Sequence, residues 1–167
     1  MVAGIDVDRL RNTPLFAKLP ESFRDSSYVL AAFDPPNLVT AARTGTRIAV
    51  TGAPNQPGRP PDLLRHAALT PLWIVVRGDT SLPLTGNYAN LNRLLRQTDY
   101  TRISAQVTDR LEYDAEGVCL TPEAAAHLEQ NIRAIATLTK LPLTVRVEAN
   151  TVHVTGSAPL DALNHLF

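Results

Sequence analysis

Leu72-Trp73-Ile74-Val75-Val76 is an unbroken apolar run, the pattern of a strand covered on both faces, and it predicts the centre of a sheet. Downstream the pattern changes to strict alternation. Ile103, Ala105 and Val107 alternate with Arg102, Ser104, Gln106 and Thr108, while Leu111, Tyr113, Ala115, Gly117 and Cys119 alternate with Glu112, Asp114, Glu116 and Val118. Period two predicts paired strands with one face in the core and the other in water. Leu143, Val145 and Val147, then Val152 and Val154, predict a further hairpin about Ala149-Asn150.

Between these strands the period lengthens. Ala125, Leu128, Ile132 and Ile135 recur at three- and four-residue steps behind Thr121, Pro122 and Glu123. That arrangement predicts a capped amphipathic helix with its apolar stripe on the sheet, ended by Leu141-Pro142. A second helix is expected from Ala89 to Gln97, and a short one from Pro159 to Leu166.

The first part of the chain carries weaker signals of the same kinds. Val2 to Ile5 predicts a strand, and Val7 to Leu19 a helix interrupted at Thr13-Pro14. Ser27 to Phe33 and Leu38 to Arg43 flank Asp34-Pro35-Pro36-Asn37 and predict a β-hairpin. A strand over Arg47 to Thr51, a loop over 52–61 and a short helix from Asp62 to Ala68 complete this section.

From Leu72 the predicted order is strand, helix, strand, strand, helix, strand, followed by a hairpin partner and a terminal helix. This is the β-α-β-β-α-β order of ferredoxin-like folds, with helices on one face of an antiparallel sheet. Short echoes suggest duplication: Val50-Thr51-Gly52 returns as Val154-Thr155-Gly156, and Arg9-Leu10 as Arg93-Leu94. The expected architecture is α+β, with an abbreviated ferredoxin-like unit over 1–70 and a fuller one over 71–167.

With 167 residues, 44% of them hydrophobic, the chain buries roughly 70% of its unfolded surface and needs no disulfide or metal to fold. Sixteen basic and sixteen acidic residues cancel, which removes the field that drives binding to nucleic acid or anionic lipid. No apolar run reaches the length of a membrane span. The strand-like opening Val2-Ala3-Gly4-Ile5 fits a chain preceded by an export segment.

Asp6-x-x-x-Leu10-Arg11-x-Thr13-Pro14-Leu15, Pro71 to Gly78 and the helix over Ala124 to Ala136 resemble a family of uncharacterised bacterial proteins described as exported. The resemblance covers core and turn positions. It implies tandem ferredoxin-like units, a periplasmic or secreted location, and no known activity.

Candidate chemistry is sparse. His66, His127, His153 and His165 lack the spacing of a metal motif, so neither a metal nor another cofactor is expected. Asp109, Glu112, Asp114 and Glu116 read as a solvated strand face beside Arg102 or Arg110, because a calcium loop needs a tight turn. Gly52 to Gly58 lacks the Lys and hydroxyl of a phosphate loop, and no serine sits in a nucleophile elbow. Cys119 sits just before a helix N-cap, yet its inward phase predicts a buried small hydrophobe.

An RNA-recognition reading of the strand-helix order fails on β-face chemistry, since Glu112, Asp114 and Glu116 would repel phosphate. Two functional classes survive. One is a non-catalytic module acting through protein contacts or self-association by a sheet edge. The other is a ligand sensor or enzyme with a cleft between the units, for which Gly86, Asn87, Tyr88 and Trp73 are the candidate lining.

Overall fold

The computed structural model describes residues 1–34, 37–52, 69–80, 89–139 and 142–160. Within them the chain is α+β, and its strands form one antiparallel sheet of nine in the order β4-β3-β2-β1-β5-β6-β7-β9-β8. The first section supplies β1 (Val2–Asp6), β2 (Tyr28–Asp34), β3 (Asn37–Thr44) and β4 (Arg47–Thr51). The second supplies β5 (Leu72–Arg77), β6 (Thr98–Val107), β7 (Arg110–Cys119), β8 (Leu143–Glu148) and β9 (Thr151–Pro159). The apolar run at Leu72 is the middle strand, as its composition demands. The two sections join where β1 pairs with β5 through Val2↔Val75, Ala3↔Ile74, Gly4↔Trp73 and Ile5↔Leu72.

The described helices lie on one side of the sheet. Helix α1 (Val7–Leu10) begins with the Asp6 carboxylate accepting from the Arg9 N–H at 3.1 Å, and the Thr13 hydroxyl bonds the Leu10 carbonyl where the helix stops. A 3₁₀ turn over Phe16–Lys18 and the one-turn α2 (Glu21–Arg24) follow. Val7, Leu10, Leu15 and Leu19 bury against Val29, with Ile5 and Leu72 beside them. Helices α3 (Ala89–Leu95) and α4 (Pro122–Thr139) cover the second section. Ala125 and Leu128 of α4 pack on Val145, Val152 and Val154, Ile132 and Leu94 flanking them. The predicted α4 stripe ends at Ile132: Ile135 is 39% exposed.

Pairing register fixes the two faces. Leu111↔Ala158, Tyr113↔Gly156, Ala115↔Val154 and Gly117↔Val152 put the inward row of β7 under the helices, as alternation predicts. On β5 the same face carries Leu72, Ile74 and Val76, and Trp73 and Val75 point the other way.

The α+β class holds, but this sheet does not follow the expected tandem ferredoxin-like strand order. In that order the two strands joined by a helix run parallel with a third strand between them. Here β7, α4 and β8 do so, with β9 in the gap, but β5 and β6 flank α3 as adjacent antiparallel strands. The first section is a plain meander. The echoed segments lie in β4 and β9 yet differ in facing: Val154 is buried under α4, while Val50, on the opposite face, is 60% exposed. The helix expected over 62–68, the loop over 80–88 for all but its first residue, and most of the expected terminal helix lie outside the described residues. Pro159 itself closes β9.

Candidate binding site

Of the four residues singled out for a cleft, Gly86, Asn87 and Tyr88 lie outside the described residues. Trp73 is only 6% exposed and projects from the face away from the helices. Its Nε1–H donates to the Tyr28 hydroxyl at 2.7 Å, and its ring crosses Gly4, where an added Cβ would overlap the indole. Absence of a side chain at Gly4 is therefore what lets a tryptophan lie down between β5 and β2. Burial raises the Tyr28 phenol above its ordinary 10.0, the bond from Trp73 opposing. Trp73, Val75 and Val2 form a small apolar cluster there.

Beyond it the same face divides by character. Toward β4 it is mostly apolar, with Leu30, Ile48 and Val50 exposed around Arg43. Toward β7 it is charged: the Arg102 guanidinium donates to Asp114 at 2.9 Å and to Glu116 at 3.3 Å. Two of the carboxylates in the sequence pattern are thus held by the arginine on the neighbouring strand, the arrangement expected of a solvated strand face rather than of acid-base chemistry.

The remaining chemical candidates fall into structural roles. Cys119 is 1% exposed and burial raises its thiol above the ordinary 9.0, the opposite of what a reactive thiolate requires. His127 is exposed on α4 and His153 half-buried on β9, while His66 and His165 lie outside the described residues. No group of three or more His, Cys, Asp or Glu among the described residues is placed to hold a metal. Likewise no described helix is long and apolar enough to cross a membrane.

The helix side holds what the sequence did not reveal. Between α3, α4 and the sheet lies a hollow of about 370 Å³, floored by Ile74, Ile103 and Ala115 and walled by Leu94, Leu128 and Ile132. A smaller hollow of about 180 Å³ adjoins it toward β1, sharing Ile74 and Ile103. Ile103 is 38% exposed although its register is inward, because it forms the floor between two groups of helices. Hydroxyls on this wall are occupied: Thr98 Oγ1 bonds the Leu95 carbonyl at 2.7 Å and lies 3.1 Å from Thr101 Oγ1.

The two outer strands differ sharply. On β8 the Arg133 guanidinium of α4 donates to the Val145 carbonyl at 2.8 Å, and Arg146 pairs with Glu148 on the strand itself. On β4 all five residues are exposed, Ile48 at 66%, and Arg47 is the only charge.

Compared with known proteins, the chain matches no family model, no curated sequence and no solved structure.

Proposed function

We propose that this chain is a non-catalytic assembly module that pairs with a second copy of itself through the outer edge of β4. The observation that carries this reading is the contrast between the two ends of the sheet. An outermost strand presents a row of unpaired N–H and C=O groups, and proteins blunt such rows with charge or cover. Strand β8 has both; among the described residues β4 has a single charge, Arg47 at its start, and no cover.

The sequence of β4 suits antiparallel self-pairing. Centred on Ala49, the pairing sets Ile48 opposite the partner's Val50 and Arg47 opposite the partner's Thr51, so that apolar residues meet and no like charges oppose. The apolar half of the sheet face then continues across the junction. The tandem reading of 1–70 and 71–167 enters here as well: the split β7-α4-β8 crossover supports a rearranged ferredoxin-like second unit, and a bacterial exported protein remains the family we infer.

Size-exclusion chromatography with light scattering tests the assembly. The parent chain is expected to run as a dimer at tens of micromolar and Val50→Lys as a monomer of unchanged melting temperature. A parent chain that is monomeric throughout that range overturns the proposal.

A further inference from the structure

The hollow under α3 and α4 is independent of the β4 edge and points to a different property. Its lining is aliphatic almost throughout, and the two threonine hydroxyls on its wall are already committed to each other and to the Leu95 carbonyl. No charged residue lines it among the described residues. A ligand portion seated there meets no hydrogen-bond partner, so a polar or charged group inside would go unsatisfied. Water in it finds few hydrogen-bond partners for the same reason.

Size and shape narrow the class further. An apolar cavity of about 150 Å³ accepts benzene, and by that measure the 370 Å³ here holds on the order of a dozen carbons. The adjoining hollow extends the space along the sheet over Ile74 and Ile103, a trough rather than a sphere. A flexible unbranched chain follows such a trough; a compact ring system does not.

The mouth supplies the place for a polar end. Thr98 also borders a third hollow, which holds Arg77, Arg96, Asp79 and Asp99. Arg77 is engaged by Asp79 at 2.7 Å, and the exposed Arg96 beside Thr98 is the cation placed to meet an anionic head group.

We propose that the second section binds an unbranched aliphatic chain of about twelve carbons between α3 and α4, its polar end beside Thr98 and Arg96. The alkyl chain is the chemistry in common between a fatty acid and a fatty alcohol, and the two are told apart by the head.

The test uses the full chain with its isoleucine methyl groups labelled for NMR, titrated with dodecanoate, with 1-dodecanol and with butanoate. Dodecyl compounds are expected to move the Ile74, Ile103 and Ile132 methyls and leave Ile48 still, and butanoate to bind at least tenfold more weakly. Dodecanoate alone binding assigns the head to Arg96; both binding assigns recognition to the chain. Ile132→Trp, which fills the hollow, is expected to weaken dodecyl binding at least tenfold. Methyl shifts independent of chain length, or confined to Ile48, or absent with both dodecyl compounds, overturn the proposal, and the parent-chain spectra decide even if the Trp variant fails to fold.

Discussion

Tyr113 stands on β7 directly opposite Gly156 of β9, and a Cβ on that glycine would overlap the tyrosine hydroxyl. The same relationship holds on the other face between Trp73 and Gly4. In each case an aromatic ring covers the strand position that lacks a side chain, which returns to the sheet the packing that glycine withholds.

Gly4→Ala forces the indole of Trp73 off β1 and away from Tyr28. Overpacking of this kind costs about 1–3 kcal/mol. Urea titration reads the loss, and the emission of the single tryptophan is expected to shift to the red as its hydrogen bond and burial go. An unchanged spectrum would show that Gly4 does not seat the ring.

Tyr28→Phe leaves the Trp73 Nε1–H without its acceptor and is expected to destabilise the fold by about 1–3 kcal/mol. A double variant with Trp73→Phe is expected to recover part of that loss, which a thermodynamic cycle on the urea midpoints measures.

The chain is expected to weaken in alkali. Burial raises the phenols of Tyr28 and Tyr113 above 10.0 and the thiol of Cys119 above 9.0, so the folded state holds their protons more tightly than the unfolded one. Their contribution is complete below pH 9 and is lost as pH climbs through the raised values. Stability flat from pH 7 to 9 and falling beyond it, followed by urea midpoints, is the expected profile; a rise above pH 9 would contradict the burial of all three.

Thr121→Ala removes the cap of α4, where the hydroxyl accepts from the Ala124 N–H at 3.2 Å. The cost is about 1 kcal/mol. The Glu123 carboxyl is held below its ordinary 4.5 by its own backbone N–H and then by the Thr121 hydroxyl, which adds stability above that pH and loses it as pH falls. The variant is therefore expected to show a shallower decline below pH 4.5, read by circular dichroism.

Arg102→Met strips the shared cation from Asp114 and Glu116. The arginine side chain is 17% exposed and its two partners more so, which places the expected loss at about 1–2 kcal/mol rather than at the value for a fully buried pair. Added salt is expected to shrink the difference between variant and parent, because screening relieves the two carboxylates left facing each other.

Strand positions and their facing were legible because burial follows period two on β7, β8 and β9 and because the run at Leu72 admits little but a central strand. Helix α4 was legible from its cap. The order of the strands was not, since pairing is nonlocal: a helix-bearing connection serves a parallel crossover, as between β7 and β8, and equally two adjacent antiparallel strands, as between β5 and β6. Helix α2 spans Glu21–Arg24, a single turn that leaves no period to read. The Val-Thr-Gly echo, read as duplication, joins two unlike places: Gly52 adopts φ +92 at the end of β4, while Gly156 makes room for Tyr113. The seating of the Trp73 ring on Gly4 was not read from the opening strand, since it depends on which strand lies beside it. The aliphatic hollow had no signature at all, for it depends on how far apart α3 and α4 sit.

Arg133 reaches from α4 to the backbone of β8 and thereby closes one border of the sheet. A chain with two usable borders stacks without end and becomes a fibre; a chain with one spends it on the first encounter. Under the β4 pairing proposed above, growth stops at two molecules, with the guanidinium on the far side limiting the number.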